Sequence, residues 1–251
     1  MILYIYNKEK SINVKIFKER DIKIKMKKDV VIIIPSYNPD YNLINVEKEL
    51  RKNEYSNIVI VNDGSYSDDI FKSLENNAII LTHNINMGKG EALKSAFKYC
   101  INNFDDIKGV ITLDDDAQHE IEDVNNIYLN INNNVILGSR NFNDGKIPLK
   151  SKIGNKCTSK IIKLFTGIKI NDTQTGLRFI PYKYLKDFIN IDGKGFEYET
   201  NMILYCLKNN INIEEIPIDT IYLENNIKSR FHPVKDSIAI AINVLKHLKK
   251  N

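Results

Sequence analysis

The sequence predicts an α/β fold built on a mainly parallel sheet flanked by helices, and three observations predict it. Short β-branched runs alternate with helical patterns from residue 29 onward, as repeated β-α-β units do. These runs are apolar at successive positions, as expected of strands covered on both faces. Three of them end in polar clusters, Ser36-Tyr37-Asn38, Asn62-Asp63-Gly64-Ser65 and Asp114-Asp115-Asp116. Ligands bind beyond the carboxyl ends of such strands, near the point where strand order reverses.

Each element has its own signal. Residues 2–6, 12–17 and 22–26 alternate apolar and polar, which predicts a small β-rich extension over 1–28. Residues 30–34 form a continuous β-branched strand that Pro35 is expected to stop. A helix follows with Leu43, Val46 and Leu50 on one face. Strands are predicted at 58–61, 78–81, 110–113 and 135–137. Ser67 is placed to cap a short helix carrying Ile70, Phe71 and Leu74. Residues 91–104 are strongly helical, with apolar residues at 92, 93, 96, 97, 100, 101 and 104. Further helices are expected at 120–131, 157–165 and 197–210, and a strand at 213–216. Residues 146–152 read as a mobile basic loop, and 234–248 as an amphipathic helix ending among lysines.

Composition narrows the function. The 251 residues suffice for a large α/β domain with a core of its own, and 43% apolar with 27% charged is ordinary for a soluble globular protein. The net charge of +4 is scattered along the chain, which argues against nucleic acid as a partner. Cys100, Cys157 and Cys206 are odd in number and far apart, so they read as reduced, buried thiols of a cytoplasmic protein. No apolar run approaches about 18 residues, so no transmembrane segment is expected. The pattern at 234–248 admits peripheral contact with the inner face of a membrane, although core packing is the plainer reading.

The clusters carry the chemistry. If the chain stays extended past the fourth strand, residues 114, 116 and 118 point the same way, with His119 directed elsewhere. Asp114, Asp116 and Gln118 then offer hard oxygen ligands suited to Mg²⁺ or Mn²⁺ with open positions for water and phosphate. A solvated acidic turn capping the next helix is the bland alternative, and the buried strand before it tells against that. Such a cation suits a nucleoside diphosphate leaving group, whose developing charge it stabilises. Asp63 could accept from a nucleobase ring N–H, or simply shape a turn. Pro35 and Tyr37 offer a bend and an aromatic wall. Asn86-Met87-Gly88-Lys89-Gly90 precedes a helix, where Lys89 approaches phosphate or sits as a surface charge. Neither G-x-x-x-x-G-K-[ST] nor G-x-G-x-x-G is present in these positions, which argues against a P-loop and against NAD.

Taken in order, Val-Ile-Ile-Ile-Pro-Ser-Tyr-Asn (31–38), Val-Asn-Asp-Gly-Ser (61–65), Asn-x-Gly-Lys-Gly (86–90), Leu-Asp-Asp-Asp-Ala-Gln-His (113–119), Gly-Ser-Arg (138–140), Asp-Thr-Gln-Thr-Gly-Leu-Arg (172–178) and Phe-Glu-Tyr-Glu (196–199) resemble the family 2 glycosyltransferases of GT-A fold. The branch resembled is that of the dolichol-phosphate mannose and glucose synthases. The resemblance runs from about residue 29 to 237 and implies a GT-A domain over 29–251 with a nucleotide-binding sheet. It implies that Asp114, Asp116 and Gln118 hold the metal, and that Pro35, Tyr37 and Asp63 line the nucleotide site. Arg140 would meet a lipid-phosphate acceptor, and Lys228 and Arg230 would clamp phosphates. Gln174, Thr175 and Gly176 would lie near the acceptor.

The implied activity is inverting transfer of one sugar from a UDP- or GDP-sugar to a polyprenyl phosphate or a cell-envelope glycan precursor. The Q-x-x-R-W signature of processive synthases is absent. A hydroxyl acceptor would need a base, for which Glu197 and Glu199 are candidates with Asp172 behind them. Pro39 stands where an acidic residue is frequent, and Asp115 where small residues are common. A non-catalytic nucleotide-sugar-binding scaffold is the alternative function, and intact metal ligands argue against it.

Overall fold

A computed structural model of the chain describes residues 26–142, 147 and 149–219. The extension expected before residue 26, the helix expected at 234–248, and Lys228 and Arg230 lie outside the described residues.

Among the described residues seven strands form a single sheet: β1 (Val30–Ser36), β2 (Ile58–Asn62), β3 (Ile79–Thr82), β4 (Gly109–Thr112), β5 (Val135–Arg140), β6 (Arg178–Pro181) and β7 (Ile213–Ile218). Their order is β3-β2-β1-β4-β6-β5-β7. All neighbours pair parallel except β6, which runs antiparallel to both β4 and β5. Among the helices are α1 (Asn42–Lys52), α2 (Asp69–Leu74), α3 (Lys89–Asn103), α4 (Ile121–Leu129), α5 (Leu149–Thr166), α6 (Leu185–Ile189) and α7 (Glu197–Lys208). The chain leaves β1 toward β2 on one side and returns to β4 on the other. The order therefore reverses between β1 and β4, which opens a crevice at their carboxyl ends.

Every residue of β1 and β2 is buried, and alternate side chains feed two cores. Val31, Ile33, Val59 and Val61 pack with Leu93 and Phe97 of α3 and Tyr198 and Met202 of α7. Ile32, Ile34, Ile58 and Ile60 pack with Leu43 and Leu50 of α1, Phe71 of α2 and Ile127 of α4. The period-two rule thus sends one strand's apolar residues to both faces.

Several expectations are corrected. Pro35 does not stop β1, because it pairs in register with Val61. Ile33 faces β4, accepting from Leu113 N, and Ser36 faces β2, accepting from Asp63 N. Pro35 therefore faces the β4 side, where pairing has already ended at Ile33–Thr112, and its missing N–H breaks no ladder bond there. Residues 149–152 belong to the first turn of α5 instead of a loop. Cys157 is exposed on α5, whereas Cys100 and Cys206 are buried as expected. Asp68, and not Ser67, takes the N-cap position of α2, although Ser67 Oγ accepts from Asp69 N. The patterns at 178–181 and 185–189 carried no expectation, and form β6 and α6.

Candidate functional site

The strand ends at the crevice are locked to one another. Ser36 Oγ donates to Asp115 Oδ2 at 2.5 Å, joining the end of β1 to the turn after β4. Asn38 N donates to Ser65 Oγ, and Tyr66 N to Asn38 Oδ1, so the loops after β1 and β2 clasp each other. The Tyr37 and Tyr66 rings lie 6.0 Å apart on the outer side of that clasp.

Asp63 is buried. Its Oδ1 accepts from Met87 N at 2.9 Å and its Oδ2 from Gly88 N at 2.8 Å. His83 Nδ1 lies 2.7 Å from the same Oδ1. Asp63 thus fixes the loop that leads into α3. Gly88 completes this loop at φ +98, where a Cβ would meet Lys194 O at 2.4 Å.

The acidic turn differs from the extended reading. Residues 115–117 turn, with Ala117 at φ +58, so 114, 116 and 118 do not alternate along a strand. Asp116 Oδ1 accepts from Gln118 N at 3.1 Å, the local bond by which an aspartate shapes a turn. His119 does not point away, since its Nε2 stands 3.7 Å from Asp114 Oδ2. Asp114 also accepts from Lys89 Nζ at 2.7 Å. The carboxylate presses against Gly176, where a Cβ would fall 2.2 Å from Asp114 Oδ2, so residue 176 must lack one.

These placements set the charges. Burial would raise the Asp114 carboxyl, but Lys89 and then His119 outweigh it and hold it well below the usual range. Burial first, and Asp114 next, push the Asp116 carboxyl up to about 6. Lys89 is no surface charge. Its Nζ is also 2.9 Å from Glu199 Oε2, and the two carboxylates keep it protonated against its burial.

The far side of the crevice is built on Asp172, which is wholly buried. Arg140 Nε donates to Asp172 Oδ2 at 2.6 Å and Nη2 to Oδ1 at 3.0 Å, a bidentate pair. The 171–172 backbone N–H groups donate to Glu215 of β7, and Thr173 donates to Asn155 of α5. Thr112 Oγ1 donates to Gly176 O, tying this loop back to β4. Arg178 is buried and donates to Thr175 O, Glu199 O and Thr173 O. Glu197 accepts from Lys194 N and Gly195 N through Oε1, so that oxygen holds its own turn. Glu199 Oε1 is buried with no hydrogen-bond partner, 3.9 Å from Arg178 Nε.

The structure thus gathers Asp114, Lys89 and Glu199 directly, and places Arg140 across the 172–176 loop. Pro35, Tyr37 and Asp63 stand at the adjoining strand ends. His83, His119, Asn155, Arg178 and Glu215 support the site without having been expected. Their roles arise from tertiary contacts: His119 and Arg178 stand inside the motifs at 113–119 and 172–178, and no local pattern marks His83, Asn155 or Glu215.

Among the described residues, no group of three or more His, Cys, Asp or Glu side chains could hold a metal by itself. Two carboxylates and an amide oxygen on one turn remain a fitting set for a hard cation that completes its shell with water and phosphate. Burial and then the Asp114 charge raise Asp116, and such a cation would offset both.

Comparison with known proteins bears on the family and the fold. The family model Glycosyl transferase family 2 matches residues 31–189. A UDP-N-acetylglucosamine–dolichyl-phosphate N-acetylglucosaminyltransferase of Methanococcus voltae is 32% identical over 219 residues, covering 78% of this chain and 86% of that protein. Glucosyl-3-phosphoglycerate synthase of Mycobacterium tuberculosis, in complex with phosphoglyceric acid, superposes with a TM-score of 0.65 at 12% identity, over 88% of this chain and 81% of that one. The same enzyme with Mn²⁺ and UDP-glucose gives a TM-score of 0.60 at 11% identity, over 88% and 80%. Identity at that level speaks for the fold alone.

Proposed function

The chain belongs to glycosyl transferase family 2 and has the GT-A fold, and from that premise we propose that it transfers one sugar from a UDP-sugar to a polyprenyl phosphate with the help of a divalent cation. The observation that carries this reading is the shared position of Lys89. It joins the acidic turn after β4 to Glu199 of α7 at the sheet's switch point. Donor phosphates and acceptor would meet there. The UDP-sugar and the lipid phosphate follow the name of the Methanococcus voltae relative.

Pro35, Tyr37 and Asp63 would form the nucleotide side, and Lys89 would face the diphosphate. Asp114, Asp116 and Gln118 would hold Mg²⁺ or Mn²⁺, which supplies positive charge to the departing diphosphate. Arg140, aimed by Asp172, would position the acceptor phosphate. An acceptor oxygen attacks the anomeric carbon from the face opposite the nucleotide. The bond to the β-phosphate oxygen breaks, and its electron pair leaves with UDP. The attacking oxygen is already anionic, so no base is required. With a hydroxyl acceptor, Glu199 is the better placed candidate, because its Oε1 takes part in no hydrogen bond.

The test is transfer of labelled sugar from UDP-N-acetylglucosamine, UDP-glucose or GDP-mannose to polyprenyl phosphate with Mn²⁺. Asp116→Ala should abolish transfer while leaving the melting temperature of the metal-free protein within a few degrees. Full turnover by Asp116→Ala would overturn the metal assignment. Donor binding without transfer to any acceptor would return the chain to a non-catalytic, nucleotide-sugar-binding role.

A further inference from the structure

The buried face of α5 serves the site, and its opposite face has no role in it. On the inner side Asn155 accepts from Thr173 N and Thr173 Oγ1 and donates to Asn171 O, while Ser159 Oγ donates to Ile170 O. These bonds hold the loop that carries Asp172. On the outer side Ile153 is 61% exposed and Leu164 79%, with Ile168 just beyond the helix end at 48%. Ile153, Cys157, Lys160 and Leu164 follow one another by three or four residues, so they share one face. Single exposed apolar residues need no explanation, but a row on one helix face does.

The charge on that helix has one sign. Its 18 residues include five lysines and no Asp or Glu. Lys160 is exposed within that row, and Lys156 and Lys163 are exposed beside it. A helix with apolar residues flanked by lysines and no acid matches a surface that is apolar below and anionic above, as a bilayer interface with acidic headgroups is. Helix α4, on the other face of the sheet, makes the contrast. It exposes Leu129 at 79% but carries no lysine and has Glu122 and Asp123 in its first turn.

We propose that the outer face of α5, with Ile153, Leu164, Ile168, Lys156, Lys160 and Lys163, docks on an anionic lipid bilayer. Docking there would set the Arg140–Asp172 side of the crevice next to the membrane, since the same helix holds that loop from within. The inference stands on the helix itself and needs neither donor nor acceptor.

The chain has no tryptophan, so a single introduced one reports its own surroundings. Leu164→Trp and Leu129→Trp are each mixed with vesicles of phosphatidylcholine alone or doped with phosphatidylglycerol. Leu164→Trp should shift its emission to the blue and be quenched by brominated lipid, on the anionic vesicles only, while Leu129→Trp stays unchanged. Replacing Lys156, Lys160 and Lys163 by Gln in that reporter should weaken partitioning about fivefold per lysine, roughly a hundredfold together. A Leu164→Trp emission that ignores anionic vesicles, or that Leu129→Trp matches, would overturn the proposal. A blue shift that grows with protein concentration without vesicles would also overturn it, by making this face a contact between copies of the chain. Unchanged partitioning of the Gln variant would do the same for the headgroup assignment.

Discussion

Asp116 carries its charge against burial and against the neighbouring Asp114, and its carboxyl stands at about 6. In the unfolded chain an aspartate titrates near 3.9, roughly two units lower. Between those values the folded protein binds more protons than the unfolded one, so this group's contribution to stability is fully present below about 4 and is lost as pH rises through about 6. A divalent cation reverses the sign, because it binds the ionised form. The melting temperature of the metal-free protein should therefore fall across that window, and the gain on adding Mn²⁺ should be small below it and grow above it. Asp116→Asn should reduce the first trend, to which Asp123, pushed up to about 6 by burial, also contributes, and should remove the second. If Asp116→Asn kept the whole Mn²⁺ gain above pH 6, Asp116 would not be a ligand. The turn that brings about this crowding had a readable element, an aspartate two residues before a residue whose N–H it accepts, as Asp116 does from Gln118. The left-handed Ala117 had none, because no local rule asks an alanine to adopt φ +58.

At the level of elements, the legible ones were those whose burial is written in consecutive residues. β1 is β-branched from Val30 to Ile34 and β2 from Ile58 to Val61, and α1, α3 and α7 repeat apolar residues at helical spacing. β6 escaped because it has four residues, opens on Arg178 and closes on Pro181, and runs antiparallel among parallel neighbours. Its arginine acts as a tether. It is buried and donates to the carbonyls of Thr175, Glu199 and Thr173, joining the 172–176 loop to the start of α7. Arg178→Met would fill much of the same volume and supply none of those donors. Carbonyls left buried without a partner cost about 1–3 kcal/mol each, and some relaxation is expected, so a net loss of about 3 kcal/mol should appear in urea unfolding. An unshifted midpoint at unchanged slope would show that water or neighbouring groups satisfy the carbonyls and that the tether does not hold the loop.

The described residues divide into two apolar cores on the two faces of a sheet, and the site lies at the strand ends between them. Its residues at 35–38, 62–65 and 114–116 were legible because they follow buried apolar strands directly in the sequence. The bonds that unite the site were not, since Lys89, Asp114 and Glu199 come from α3, the turn after β4 and α7, and no periodicity links them. Lys89 is the shared counter-ion. It lies 2.7 Å from Asp114 and 2.9 Å from Glu199, and is itself only 13% exposed. Lys89→Met would leave buried Glu199 and partly exposed Asp114 without the cation between them. Removing one partner from a buried ion pair costs about 3–5 kcal/mol, and the exposure of Asp114 puts the loss at neutral pH near the lower end, about 3 kcal/mol. The deficit should shrink in mild acid, because two crowded carboxylates accept a shared proton more readily than isolated ones. Mn²⁺ should stabilise the variant more than the native chain, since the cation restores the missing positive charge and no ammonium competes for Asp114. Urea midpoints of both proteins, at neutral and mildly acid pH and with and without Mn²⁺, separate these effects. A variant as stable as the native chain at neutral pH would mean that solvent already screens the two carboxylates from each other. An equal Mn²⁺ gain in both proteins would place the cation away from Asp114.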